Sequence, residues 1–155
     1  MPAPEIEQNS QRISGIIQVM DIALRDADLR LQTVCSSHLV TLASGHIEIC
    51  VRAVLGEYAR LHSNGPIKKF TVKTLEWENS LNCEKINKIL DRFDKSWKDK
   101  LDQKITFDES SAVDSLKTLR DDIAHGKHNG TGYITVKEYY SRSLKYISKL
   151  NDVIS

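Results

Sequence analysis

The chain has 155 residues, of which 40% are hydrophobic and 28% charged, with a formal net charge of +1. Those figures exclude a disordered chain and a bulk electrostatic binder of nucleic acid, so any anion site must be a local cluster. Three prolines and seven glycines leave little loop material, which favours an all-α fold in a single domain over residues 1–155.

The opening "MPAPEIEQNSQR" has no basic stretch followed by an apolar run, so it is not read as a signal peptide. Pro4 suits a first helical turn, with Glu5 and Glu7 near the positive end of the helix dipole. Ile6, Ile13, Ile16, Ile17, Met20 and Leu24 then recur at helical spacing. A second, long helix is expected from about Leu31 to His62, with Val34, Leu39, Leu42, Ile47, Val51, Val54, Leu55 and Tyr58 apolar. Gly45 and Gly56 weaken that helix and are expected to permit close helix packing.

"SNGP" (Ser63–Pro66) is a turn with Pro66 opening the next segment. "IKKFTVKTLE" fits helix or strand by pattern, and in an otherwise helical chain helix is expected. "ENSLNCEKINKILDRF" reads as a helix with Ile86, Ile89, Leu90 and Phe93 inward, and Trp97 with Leu101 marks a short amphipathic piece. "ITFDES" (Ile105–Ser110) is expected to be a loop, with Ser111 and Asp114 forming a capping box for the helix that follows. That helix carries Val113, Leu116, Leu119 and Ile123 on its inner face and stops at Gly126, a natural left-handed cap. After the polar "GKHNGTG", Thr135 and Glu138 read as a second capping box, opening a last helix that runs to about Val153. The expected architecture is a helical bundle with two long helices and two or three shorter ones.

Cys35, Cys50 and Cys83 are odd in number, far apart and set in apolar stretches, as core thiols of a cytoplasmic protein would be. No apolar run approaches the ~20 residues that span a bilayer, so no membrane is expected. His46 and Cys50 lie four apart on a helix, but third and fourth metal ligands are missing, so no metal and no cofactor are expected. Glu48 and Glu57 lie about 180° apart on an ideal helix and cannot form a paired-carboxylate site. Trp77 and Trp97 read as packing residues, and Arg142, Lys145 and Lys149 as a solvated basic stripe.

Chemistry concentrates in "LRDDIAHGKHNG", Leu119 to Gly130. With eight Arg and five His in the chain, an Arg-x4-His pair arises by chance roughly a quarter of the time, so the spacing alone proves little. His125 at a helix C-terminus suits general acid–base work, because the dipole favours the protonated ring. Asp121, four residues earlier, shares its helical face and is expected to orient the ring. Arg120 is five residues earlier, about 140° round the helix. The pair therefore converges poorly in one chain and better across a dimer of two copies. Lys127 and His128 follow in the exposed loop, where they either contact an anionic ligand, RNA in the resemblance named below, or are simply solvated. "LRDADLR" (Leu24–Arg30) starts the same way but has neither the His nor the glycine exit, and is assigned no role.

"LRDDIAHG" resembles the signature of HEPN domains, in which an Arg, a polar residue, a short spacer and a His lie near the end of a late helix. Arg120, Asp121 and His125 match that signature position by position, with Asp121 where Asn is common. "SSHLVTLASGHIEICVRAVLGEYAR" followed by "WENSLNCEKINKILDRFDKSWKDKL" is similar to the RiboL-PSP-HEPN subfamily, with its acid-centred long helix, Asn-containing segment and Phe–Asp–x–x–Trp run. The resemblance runs from about Ser36 to the C-terminus. It implies a HEPN-like all-α bundle and a homodimeric, metal-independent endoribonuclease of prokaryotic defence or toxin–antitoxin systems. In it, Arg120 binds phosphate, His125 is acid or base, and Asp121 supports. RNA, a second copy of the chain, and an antitoxin or defence protein are the implied partners. Relatives with a modified Tyr two residues after the His are a different version, since Lys127 stands there. The competing class is a non-catalytic HEPN module that binds RNA or a partner protein as a scaffold.

Overall fold

The computed structural model describes residues 4–155. Seven helices follow one another: α1 (Pro4–Ala23), α2 (Leu29–His62), α3 (Gly65–Leu75), α4 (Cys83–Phe93), α5 (Lys95–Lys104), α6 (Phe107–Ala124) and α7 (Tyr133–Ile154). No strand occurs among the described residues, so the all-α bundle expected from composition is what forms. Four helices, α1, α2, α6 and α7, have 18 or more residues, against the two long ones expected.

The 34-residue α2 is the axis of the bundle; α1, α3, α6 and α7 all pack on it, and α7 also lies along α6. Leu39, Val40, Ala43, Ile47, Val51 and Leu55 recur three and four apart and are buried, which is the pattern that seats a helix in a core. By length and mean hydropathy α2 is apolar enough to cross a membrane, contrary to the expectation that no segment approaches this, but most of the apolar stretch is buried inside the bundle. One hydrophobic cluster draws residues from every helix, from Ile13 of α1 to Ile154 of α7.

Caps explain the boundaries. Asp28, Asn82 and Asp94 each accept a backbone N–H at the start of α2, α4 and α5. Thr106 and Glu109 form the capping box of α6, so "ITFDES" is largely helix and not loop, and Ser111 lies inside it. Asp114 instead accepts the Cys83 N–H at 2.9 Å and ties α6 to the start of α4. The Thr135–Glu138 box is also absent: α7 begins at Tyr133 with Gly132 as a cap that makes no side-chain bond. Asn129 shapes that entry, accepting the Thr131 N–H and donating to Ser36 of α2.

Three packing expectations change. A Cβ at Gly45 or Gly56 would meet nothing within 4 Å, so neither glycine marks a close helix approach. Val34 is exposed at the near end of α2. Trp97 is buried against Tyr58 and Phe93, but Trp77 is 83% exposed.

Candidate functional site

His125 is the C-cap of α6, with φ −89° and ψ 10°. Gly126 follows at φ +74°, where a side chain is disfavoured. Its N–H donates to Ile123 and the Lys127 N–H donates to Asp122, which is the two-bond Schellman closure. The glycine exit thus terminates the helix and fixes the direction in which His125 leaves it. The imidazole is exposed and makes no hydrogen bond among the described residues.

Arg120 lies nearly one and a half turns back, half-buried, where a loop from the α3–α4 connection meets α6. Its Nη1 donates to the hydroxyl of Ser80. Ser80 has a left-handed backbone, φ +50°, and its N–H donates to Glu48 Oε1 of α2 at 2.7 Å. Arg52, one turn along α2 from Glu48, donates to the Leu75 and Glu78 carbonyls, so the same loop is clamped at its other end. Asp121 completes the cluster. Its carboxylate pairs with Lys117, lies 3.7 Å from Arg120, and is 3.5 Å from the Ser80 hydroxyl. The Lys117 ammonium holds the Asp121 carboxyl below its usual range despite partial burial.

The structure therefore brings Arg120 and Asp121 together, around Ser80, and leaves His125 apart. The expectation that Asp121 orients His125 is corrected: the carboxylate is spent on Lys117 and Arg120, and only its backbone carbonyl meets the His125 N–H. Lys127 is exposed and 3.6 Å from Asp122, and His128 is exposed in the loop. The basic stripe of α7 is broken up, since Lys149 is bonded to the buried Glu109 and Arg142 faces Glu138.

Ser80, Glu48 and Lys117 were not read from sequence as site members. The Lys117–Asp121 pair has a local signal, the i,i+4 spacing on a helix. Ser80 has none, because it reaches Arg120 only through the packing of segments 40 residues apart.

His46 and Cys50 are a structural pair. The neutral ring accepts the Asn9 amide at Nδ1, 2.7 Å, and Nε2–H points to the Cys50 sulfur at 3.3 Å. Burial pushes the Cys50 thiol up to about 12 and holds His46 below the ordinary histidine value. No group of three His, Cys, Asp or Glu side chains suited to a metal ion occurs among the described residues.

The RiboL-PSP-HEPN family model matches residues 5–155. The chain belongs to the RiboL-PSP-HEPN family. The match covers α1 as well as the region from Ser36 onward that carried the resemblance, so the N-terminal helix is part of this HEPN domain. No curated protein and no solved structure matches the chain. Membership fits RNA cleavage or RNA binding as the broad role of this domain.

Proposed function

We propose that this HEPN domain is a metal-independent endoribonuclease of a prokaryotic defence or toxin system, acting in the cytoplasm as a homodimer. The observation that carries the reading is the arrangement at the end of α6. An exposed His125 is set by a Schellman closure, five residues from an Arg120 whose guanidinium is held by Ser80.

In the reaction, His125 takes the proton from a ribose 2′-OH, and the oxygen attacks the adjacent phosphorus. The 5′ oxygen leaves and takes a proton from solvent water. Arg120 stabilises the charge that develops on the phosphoryl oxygens. The products are a 2′,3′-cyclic phosphate and a 5′-OH. Asp121 supports by holding Lys117 and Arg120, not by orienting His125. Lys127 and His128, exposed beside the site, contact the RNA backbone. An antitoxin or other defence-system protein is a further partner.

The test is incubation of total RNA with the protein in EDTA, followed by end-group analysis. Cyclic-phosphate ends that disappear with His125→Ala support the reading. Equal cleavage by the wild type and His125→Ala would sink it. The second reading, a non-catalytic scaffold, has one observation in its favour: Arg120 already has a structural partner in Ser80. It predicts RNA or protein binding without cleavage.

A further inference from the structure

Helix α3, "GPIKKFTVKTL", is the only helix among the described residues with no acidic residue, and it carries Lys68, Lys69 and Lys73. It packs on α2 through its buried Leu75, which leaves an outer face uncovered. Phe70 on the helix is 72% exposed, and Trp77, in the turn just after it, is 83% exposed. Phe70 and Trp77 are seven apart in sequence, Phe70 on the helix and Trp77 in the turn that ends it. Lys69 and Lys73 are four apart on one helical row, next to Phe70. Lys68 and Lys69 make no ion pair among the described residues, and Lys73 is 4.0 Å from Glu76. Beside this row, Phe70, Thr74, Ile89, Arg92 and Phe93 line a groove of about 350 Å³ between α3 and α4.

The platform is rigid and connected to the candidate site. Arg52 holds the Leu75 and Glu78 carbonyls on either side of Trp77, and Arg92 pairs with Glu78 at 2.7 Å. Three residues past Trp77, Ser80 meets Arg120. A trans chain spans at most about 3.6 Å per residue, so Trp77 lies within the reach of a few nucleotides from a phosphate at Arg120.

From this juxtaposition we infer that α3 and its following turn form a binding platform for single-stranded RNA, with bases stacked on Phe70 and Trp77 and phosphates met by Lys69 and Lys73. The strand would run from this platform toward Arg120; that direction, though not the platform, rests on the endoribonuclease reading. Exposed aromatic faces flanked by lysines are the composition that binds single strands without sequence readout. A second copy of the same face is disfavoured, because it would set lysines against lysines.

The test uses a fluorescein-labelled oligouridylate with 2′-O-methyl riboses, which binds but cannot be cleaved, and the intact chain. Phe70→Ala and Trp77→Ala are each expected to weaken binding about tenfold, and Trp77→Phe to stay within about twofold of wild type. Lys69→Ala with Lys73→Ala lowers the salt dependence of affinity. Binding also quenches the tryptophan emission of the wild type and not that of Trp77→Phe, a readout that needs no destabilising variant. Unchanged affinity in the aromatic variants, absent quenching, or no binding at all overturns the platform. So does a dimer that dissociates in Phe70→Ala or Trp77→Ala, because the face would then be a protein interface. RNA cleaved normally without aromatic-dependent binding removes the platform and leaves the nuclease. Aromatic-dependent binding without cleavage of ordinary RNA does the reverse.

Discussion

Arg120 donates to the hydroxyl of Ser80, a residue 40 positions earlier whose backbone sits in the left-handed region at φ +50°. A serine there is disfavoured by sterics, and Glu48 on the Ser80 N–H helps to hold it. Strain of this kind persists only where the surroundings over-determine it, and here it sits beside the candidate Arg120.

Ser80→Ala removes the acceptor for Arg120 and is expected to lower RNA cleavage about tenfold, the worth of one hydrogen bond to a charged group. Ser80→Gly removes the same hydroxyl but frees the backbone. Its melting temperature should therefore hold at or above that of Ser80→Ala while its activity falls equally. If Ser80→Ala cleaves at the wild-type rate, Ser80 does not position Arg120.

Gly126→Ala isolates the helix exit. A Cβ there meets no neighbour within 4 Å, so the whole cost is the φ of +74°. About 1 kcal/mol is expected, a fall of about 2–4 °C in Tm for a chain of this size. Activity should fall by more than the stability loss implies, since the same closure aims His125. Gly126→Asn, which tolerates the left-handed region better, should lie between. Calorimetry beside a cleavage assay separates the two effects; a loss of stability with no loss of activity would show that the exit does not aim His125.

His46 predicts a pH dependence of stability. Burial depresses its folded-state value below that of the unfolded chain. In the window between the two, the unfolded state binds the extra proton. Stability is therefore full above about pH 6.5 and is lost as pH falls through the depressed value. Protonation at Nδ1 would turn an N–H against the Asn9 amide and loosen α1 from α2. Thermal melts from pH 7.5 down to 5 should show Tm falling in the wild type and a flatter profile in His46→Gln, which keeps polar bonding but does not titrate there. Identical profiles would remove His46 as the cause.

Local chemistry made much of the fold legible in the sequence. The α2 core stripe, the Gly126 stop and the helical nature of α3 follow from periodicity and from a residue's own backbone preference. The start of α6 is decided by packing and not by local pattern. Thr106 with Glu109 and Ser111 with Asp114 are both plausible boxes by pattern, and burial of Glu109 against Lys149 selects the first. The candidate site was half legible. Arg120 and His125 carry a spacing that a single helix records. Ser80 and Glu48 depend on segments packed from elsewhere, whereas the Lys117–Asp121 pair is local, and nothing local to Trp77 shows that it lies exposed beyond α3.

The central claim is that one chain holds half a site and a second copy supplies the rest. Mixing Arg120→Ala with His125→Ala, each inactive alone, tests it most directly. If Arg120 of one copy works with His125 of the other, exchange of subunits should restore cleavage to as much as about a quarter of wild type, since about half of the dimers are mixed and each keeps one intact pair. A mixture that stays inactive although mass measurement shows mixed dimers, or a wild-type chain that cleaves RNA as a monomer, would contradict the account.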